Sequence, residues 1–502
     1  MINDHLEPGI NRKVAVAELL SIKGDGLVDE LAQRLTYQRR QVLEAITSLQ
    51  KLGAQIKLDN DYVFNATSGT QMSQIISKVY QESKVLQYLR YAFLEGPTLS
   101  NERVQEVLGV AQASIYRLRK KAGLILESYD LQLVKNEIQG NELSKRTLIA
   151  LLSHRYGITV YTNSQNTEKL VRKWIIANNK QVTEVLLEQT RLQVGFFERL
   201  LVVGLCRREE SSKLDWSDDA LDNFKNWWVY DAIKTSMNQY LPYKLTEKDY
   251  EYALYCYITT DNYLLMDKWT PERFEEGYDK IYAIPKYAKI AEMFTEFFEV
   301  DFFKSDYLRK LILEIFKVTF YENFVFRPDF YAEERIIQHS KISKVILDKL
   351  EQIAQKTFKR KLPAAVNHKT AMYIQGYLFL HEDFQCTSWI VGMSQVMHQA
   401  IVEQANLRYE GSFKGITYFA PGQNRWSQLI TDKPEIILVS PHLSAYVRSL
   451  PLGPKTTVID MSLSSVIDNF EAIEQAFRQK RRQEFYELIP RRFGNKEVPD
   501  FE

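Results

Sequence analysis

The stretch LSNERVQEVLGVAQASIYRLRKKAGLIL, residues 99–126, decides the fold of the N-terminal third of the chain. Its apolar spacing predicts a short helix, a turn and a second helix, and the alternating residues of LQLVKNEIQGNE, at 131–142, predict a hairpin after them. Ser100 is placed to cap the first helix, and Gly109 lies where the turn often needs a positive φ. Helix, turn, helix and hairpin in this order are typical of a winged helix-turn-helix.

The second helix of this unit carries the residues that we predict to contact DNA. Ile115 and Leu118 recur at a spacing that points them toward the core. The residues left for the outer surface are Gln112, Ser114, Tyr116, Arg117, Arg119, Lys120 and Lys121. Gln and Arg side chains make paired hydrogen bonds with adenine and guanine edges, and Lys and Arg neutralise phosphates. A basic run can also be a solvated helix face, but its place in the second helix, ahead of a wing, favours nucleic-acid contact.

Residues 26–64 repeat the same order upstream and predict a first winged unit. The segments GLVDELAQRL, TYQRRQVLEAITSLQKLG and AQIKLDNDYVF predict a helix, a second helix and a hairpin whose turn lies at residues 59–61. Three apolar residues of the second helix are expected to face the core: Val42, Ile46 and Leu49. Gln38, Arg39 and Arg40 then lie at its exposed N-terminal end, where a recognition helix meets base edges. For Arg39 and Arg40, pairing with carboxylates or contact with another domain is the alternative.

Length, composition and charge limit the class of protein to which the chain can belong. Its 502 residues are enough for about three to five domains, and 45% hydrophobic with 26% charged residues is typical of a folded protein. The 65 Lys and Arg residues nearly balance the 64 Asp and Glu residues, so any DNA-binding face must be local. The N-terminus lacks the pattern of a signal peptide, and no run approaches the roughly 20 apolar residues of a membrane span. We therefore expect a cytoplasmic protein without membrane contact.

The sequence contains none of the common catalytic motifs. Cys206, Cys256 and Cys386 lie far apart and form no Cys-x-x-Cys, which argues against a disulfide framework or a cysteine zinc site. The chain has no P-loop, no GxSxG elbow, no HExxH and no glycine pattern for a dinucleotide. We therefore expect that the protein is not an enzyme and that it needs no metal and no cofactor.

Long amphipathic runs between about residues 167 and 381 predict an all-helical body. Between the two winged units, the sequence predicts one helix over about residues 72–94. Breaks near Pro242, Pro271 and Pro285 separate the helices of the body, which has room for two helical domains of about one hundred residues each.

The C-terminal fifth alternates short apolar strands with helices. The strands are TSWIVGM, GITYFA, EIILVS and TTVIDM, and a last helix is expected from about residue 464 to 487. This alternation predicts a small, mainly parallel sheet. Such a sheet can bind a ligand at its strand ends, or it can serve as a dimer surface.

Taken together, these segments resemble the Mga and AtxA family of Gram-positive global and virulence regulators. The most specific part is the second winged unit, followed by two helical bodies and a terminal α/β unit. The resemblance implies that the helical bodies are similar to phosphotransferase regulation domains (PRDs) and the terminal unit to a sugar-phosphotransferase IIB component. It further implies a homodimer, formed through the C-terminal α/β domain, that binds double-stranded promoter DNA. A phosphocarrier protein of the sugar phosphotransferase system is then a partner that links the protein to carbohydrate supply by phosphorylating histidine.

The predicted fold class is a mainly α multidomain protein. The predicted domains are a first winged helix-turn-helix domain at 1–68, a second, Mga-type one at 69–160, PRD-like helical domains at 161–284 and 285–385, and a small IIB-like α/β domain at 386–502. The alternatives are an RNA-binding antiterminator, since PRDs also occur there, and a phosphocarrier protein of the sugar phosphotransferase system.

Two departures from the family bear on phosphorylation. The first PRD-like segment contains no histidine and therefore has no candidate phosphorylation site. In the second segment the candidate phosphorylation sites are His381 and then His368. In IIB components a phosphorylated cysteine follows the first strand, whereas here Gly392, Met393 and Ser394 follow it and Cys386 precedes it. For the terminal unit this favours an interaction role over phosphotransfer.

Overall fold

A computed structural model describes most of the chain. The described residues are 2–161, 164–189, 191–216, 220–320, 343–381, 388–391, 417–419, 426–460 and 470–498. Within these ranges the chain is mainly helical with small sheets, which confirms the predicted mainly α character. The five domain ranges stay predictions.

The first winged unit has the predicted order of elements. It consists of α1 (Pro8–Lys23), β1 (Gly26–Leu27), α2 (Val28–Leu35), α3 (Arg39–Lys51), β2 (Ile56–Asp59) and β3 (Tyr62–Asn65). The strands form an antiparallel sheet in the order β1-β3-β2. Asn60 and Asp61 form the hairpin turn with φ of 42° and 74°, as a tight two-residue loop requires, so the predicted wing turn is confirmed. The predicted core residues of α3 are buried, each at most 2% exposed: Val42, Ile46 and Leu49.

The second winged unit follows the same plan. It consists of α5 (Lys84–Glu95), α6 (Asn101–Leu108), α7 (Gln112–Glu127), β4 (Leu131–Val134) and β5 (Glu137–Gly140). The Ser100 hydroxyl accepts a hydrogen bond from the Arg103 amide at 3.1 Å, which confirms the predicted cap. Gly109 ends α6 with φ of 61°, in the left-handed region that glycine enters without strain.

The single helix predicted over residues 72–94 is wrong. The chain forms α4 (Gly69–Gln81) and then restarts as α5, because Ser83 caps the new helix. The buried Ser83 hydroxyl donates to the Glu7 carboxylate at 2.6 Å, and the Lys84 amide donates to the same group at 2.9 Å. Glu7 therefore satisfies the free amides of α5 from a distant part of the chain, which favours a break that the local spacing does not show.

The N-terminal segment holds the two winged units together. A short 3₁₀ turn, Ile2–His5, packs against α7, and Ile2 and Leu6 are each only 3% exposed. From α8 (Glu142–Tyr156), which follows the second wing, the Tyr156 hydroxyl donates to Asn3 Oδ1 at 2.9 Å. The first residues of the first unit are thus part of the packing of the second.

A helical body follows α8. Its helices are α9 (Ser164–Ala177), α10 (Glu184–Gln189), α11 (Arg191–Cys206), α12 (Ala220–Lys225), α13 (Trp228–Tyr240), α14 (Glu247–Thr259), α15 (Pro271–Tyr282), α16 (Pro285–Phe298), α17 (Asp306–Thr319), α18 (Lys344–Phe358) and α19 (Ala364–His381). Pro271 and Pro285 are the first residues of α15 and α16, where a proline loses no helical hydrogen bond, and α13 ends just before Pro242. The predicted breaks are confirmed.

The C-terminal region contains a parallel sheet. Its elements are β6 (Ser388–Val391), β7 (Thr417–Phe419), α20 (Trp426–Asp432), β8 (Ile436–Val439), α21 (Pro441–Ser449), β9 (Thr457–Asp460) and α22 (Phe470–Phe493). The strand order is β7-β6-β8-β9 and every pairing is parallel, which confirms the predicted kind of sheet. The residues at 392–394, Cys386 and the helix predicted between β6 and β7 lie outside the described residues.

The last helix is longer at its end than predicted, and it joins the sheet to the helical body. It continues past residue 487 because Phe493 packs against Phe297 and Phe298, with ring centroids 5.8 and 5.7 Å away. Next to it, Arg492 binds the Glu299 carboxylate at 2.7 Å. These contacts supply the burial that the local sequence could not indicate.

A pair of carboxyl groups where α22 meets the sheet makes the stability of this contact depend on pH. Glu484 of α22 lies beside Glu435, and partial burial together with a hydrogen bond to Glu435 raises the pKa of Glu484 to about 7. A carboxyl group with a raised pKa binds more protons in the folded chain than in the unfolded one. Its contribution to stability is therefore complete below the unfolded pKa and lost as pH rises through about 7.

We expect the melting temperature of the protein to fall between about pH 5 and pH 8, and Glu484→Gln to reduce this fall. Thermal unfolding followed by circular dichroism over this range measures the effect. Glu474→Gln is the matched control, because Glu474 lies on the same helix and pairs with Arg478 rather than with a second carboxyl group. Equal pH dependence in the parent and in Glu484→Gln would contradict this role of the carboxyl pair.

Candidate nucleic-acid interface

The surface of α7 combines polar and basic side chains on one side. Tyr116 is 74% exposed, and Gln112, Arg117 and Lys120 are exposed as well. Residues three or four apart are neighbours on a helix surface. Gln112, Tyr116 and Lys120 follow one another at four-residue steps and Arg117 lies three residues before Lys120, so these four form a continuous surface. The side chains that were predicted to face the core are buried: Ile115 and Leu118 are 2% and 8% exposed.

Arg117 and Lys120 carry the available positive charge of this surface. Within the described part of the chain, neither residue forms an ion pair. No carboxylate of the described residues therefore neutralises their charges. Ser114, the other predicted contact in the first turn, is half-buried.

Arg119 and Lys121 lie differently from their predicted outer position, because both are half-buried and bind other parts of the protein. Arg119 Nε donates to Asn136 Oδ1 at 2.9 Å, and its Nη2 donates to Asn101 Oδ1 at 2.6 Å. Lys121 Nζ donates to the Leu6 carbonyl at 3.5 Å. The sequence could not show this, since the helix spacing gives the side of α7 but not the groups that cover it.

Asn136 is the centre of a hydrogen-bond network at the second wing. Besides Arg119, the Tyr88 hydroxyl donates to its Oδ1 at 2.7 Å, and its own Nδ2 donates to the Leu99 carbonyl at 2.6 Å. Burial raises the pKa of Tyr88, partly opposed by Arg119, so the hydroxyl keeps the proton that it donates. The wing turn is thus attached to α5, to α7 and to the residue before the α6 cap.

Lys135 is a candidate contact that sequence reasoning missed. It is exposed, it precedes Asn136 in the two-residue turn of the wing, and it forms no ion pair among the described residues. A lysine at a wing tip can neutralise a phosphate. The signal was present as the Lys-Asn pair between the two alternating stretches of the hairpin.

The predicted contacts of the first unit are largely neutralised. Gln38 is exposed and precedes α3, as expected. Arg39 binds Asp29 at 2.9 Å and also binds Asp61, and hydrogen bonds to these carboxylates raise the pKa of Arg39. Arg40 binds Glu44 at 2.8 Å. The alternative of pairing with carboxylates is therefore the arrangement observed, and DNA contact by these residues stays a prediction.

The two wings differ in chemistry. On the first wing, Leu27, Tyr62 and Phe64 are 44%, 37% and 44% exposed, and the rings of Tyr62 and Phe64 lie 4.7 Å apart. Asp59 directly precedes the turn of this wing, and Asp61, the second residue of the turn, is paired with Arg39. The turn of the first wing contains no cation, whereas the turn of the second contains Lys135, so the first wing is less suited than the second to a DNA backbone.

The two candidate phosphorylation sites lie on α19. His368 Nδ1 is 2.8 Å from the Ala364 carbonyl, and the exposed His381 ring lies 4.2 Å from the Tyr377 ring. A helix rises about 1.5 Å per residue, so roughly 20 Å separates the two histidines and they cannot act on one phosphoryl group together. Neither assignment is tested by this geometry.

A comparison with protein families identifies the segment that carries this surface. Residues 68–152 match the family model described as the Mga helix-turn-helix domain. This segment is an Mga helix-turn-helix domain. The match runs from the cap of α4 into α8 and includes α7 and the second wing. It confirms the resemblance to the Mga family of regulators, and the protein is a DNA-binding regulator.

The match does not extend to the helical body or the C-terminal sheet, whose likeness to PRDs and to a IIB component stays a prediction. No curated protein sequence matches the chain. Among the helices in the described ranges, none has both the length and the apolar composition needed to cross a membrane.

A buried ion network joins the Mga domain to the helical body. Glu142, at the start of α8, accepts hydrogen bonds from Arg146 Nε at 3.0 Å and from two nitrogens of Arg207 at 2.7 Å. Arg146 is fully buried and also donates to Ser211, which donates in turn to Asp249 at 2.6 Å. The first turn of α8, which follows the second wing directly, is therefore held by charged groups of the body.

Proposed function

We propose that the protein is a transcription regulator that binds promoter duplex DNA through the second winged unit, with α7 in the major groove. The main observation in support is a surface on the second helix of an Mga helix-turn-helix domain, formed by Gln112, Tyr116, Arg117 and Lys120. The two cations of this surface have no ion-pair partner among the described residues. The unequal wings support the second unit as the principal reader and the first as an accessory contact.

The same surface favours a mixed mode of recognition. Gln112 and Arg117 are the side chains of α7 that can make paired hydrogen bonds with base edges. Two such contacts specify few base pairs, so the shape and deformability of the promoter are expected to contribute as well. The binding is thus sequence-specific or shape-reading, with most of the affinity from phosphates.

The resemblance to the Mga and AtxA family supports a regulatory role for the rest of the chain. We infer a global or virulence-type regulator that is not an enzyme, that acts as a homodimer through the C-terminal sheet, and that responds to carbohydrate status. His381 and His368 are the candidate sites for a phosphocarrier protein of the phosphotransferase system.

A competition experiment tests the proposed function against its alternatives. The full-length chain is bound to labelled duplex DNA from the region upstream of its own gene. Unlabelled duplex or structured RNA is then added as competitor. We expect duplex to compete and RNA to compete weakly, with an affinity that falls steeply as salt rises. Preferred binding of RNA would indicate an antiterminator, and transfer of phosphate from labelled phosphoenolpyruvate through the chain to sugar would indicate a phosphocarrier.

A further inference from the structure

Both winged units attach the wing turn to the second helix through an arginine. In the first unit Arg39 of α3 binds Asp61, the second residue of the wing turn, and Asp29 in the first turn of α2. In the second unit Arg119 of α7 binds Asn136, again the second residue of the turn, and Asn101, the first residue of α6. The guanidinium group therefore has the same pair of structural partners in each unit.

The two arginines do not occupy equivalent positions along their helices. Arg39 is the first residue of α3, whereas Arg119 lies two turns into α7. The attachment of helix, preceding helix and wing is thus reached from different places in the sequence. If these arginine contacts were accidental, we would not expect both units to pair the arginine with the wing turn and with the start of the preceding helix.

We propose that Arg119 is a positioning residue, which fixes the second wing relative to α7 through Asn136 so that Lys135 and the cations of α7 meet DNA phosphates together. This inference rests on the proposed function, because it concerns how the second unit presents its charges to DNA. Arg119 itself then makes no direct contact with the duplex.

The hydrogen bonds explain why Arg119 stays in place. To reach DNA, its guanidinium group would give up both Asn101 and Asn136, and the part-buried Asn136 oxygen would keep only the Tyr88 hydroxyl. A two-stranded hairpin is marginally stable by itself, so the orientation of the wing depends on such attachments. Without this attachment the wing turn would be held near α7 only through the packing of β4 and β5 at its base.

A double-mutant cycle on promoter binding tests the proposal. Arg119→Ala and Asn136→Gly each remove one side of the attachment, and glycine tolerates the φ of 68° at residue 136. We expect each single variant to bind duplex about tenfold more weakly and the double variant to bind no more weakly than either. An approximately hundredfold loss in the double variant would show that Arg119 contributes independently, as a direct DNA contact does, and would overturn the proposal.

The matched control is Arg117→Ala, whose effect should multiply with that of Asn136→Gly, because Arg117 does not bind the wing. Tyr88→Phe provides a milder change, since it removes only the hydroxyl that donates to Asn136 from the other side. It should weaken binding in the parent but not in Asn136→Gly.

A second measurement does not depend on DNA and separates this proposal from the proposed function. Amide hydrogen exchange of β4 and β5 in the free full-length protein should be faster in Arg119→Ala than in the parent, and unchanged in Arg117→Ala. Unchanged exchange in Arg119→Ala would overturn the positioning role even if the protein bound no duplex. Faster exchange in a protein that failed to bind duplex would instead support the attachment and contradict the proposed function.

Discussion

Replacement of both Arg117 and Lys120 by alanine is expected to weaken binding of promoter duplex by roughly 100-fold at moderate salt. Both side chains are exposed, lie on one side of α7 and have no ion-pair partner among the described residues. The formal net charge of the chain is only +1, so no general positive field replaces the two lost cations. The slope of the logarithm of the binding constant against the logarithm of salt concentration should fall by about two.

Fluorescence anisotropy with a labelled duplex over a series of salt concentrations measures both quantities. Arg478→Ala is the matched control, an exposed arginine of α22 whose charge is offset by Glu474, and it should change affinity by less than about threefold. Exposed side chains contribute little to folding, so the free energy of unfolding should change by less than about 0.5 kcal/mol. An affinity and a salt slope equal to those of the parent would remove α7 as the DNA-reading helix.

Glu142→Ala is expected to destabilise the junction between the Mga domain and the helical body by about 3–5 kcal/mol. Glu142 is 4% exposed and is the carboxylate that pairs with both Arg146 and Arg207. Its removal leaves the fully buried guanidinium group of Arg146 without a directly paired carboxylate, because Asp249 reaches it only through Ser211, and burial of a charge without its direct partner is expensive. Loss of the attachment should also release the first turn of α8 from the body.

Hydrogen exchange of the α8 amides under native conditions gives the free energy of opening in this region. Glu474→Ala is the matched control, because Glu474 pairs with Arg478 at the same i,i+4 spacing on an exposed helix face and should change opening by less than about 1 kcal/mol. A change of similar size in the two variants would contradict the importance assigned to burial. Global unfolding in urea checks that the Glu142→Ala variant still folds.

Local features of the N-terminal units could be predicted from the sequence. The cap at Ser100, the left-handed Gly109 and the positive φ of Asn60 and Asp61 depend on the residues themselves and on their nearest neighbours. The core side of each recognition helix follows from the helical period alone. The parallel strands of the C-terminal sheet likewise follow from alternation with helices, although their order does not.

The features that were missed depend on partners far along the chain. The break between α4 and α5 requires Glu7, which is 76 residues before Ser83, and the inward position of Lys121 requires Leu6, 115 residues away. Arg119 was predicted as a DNA contact because a helix period cannot distinguish an arginine facing solvent from one covered by a wing. The predicted histidine sites and domain limits depend on chemistry and partners that geometry does not supply.

The docking of the N-terminal turn has a consequence for the order in which the chain is synthesised. Glu7, Ile2 and Leu6 leave the ribosome well before α5 and α7, whose amides and side chains they contact. N-terminal domains generally fold first during synthesis, but here the first unit must wait for the second to cover its apolar start. A fragment that ends at residue 68 would therefore expose Ile2 and Leu6, and expression of the first unit by itself would yield an incomplete fold.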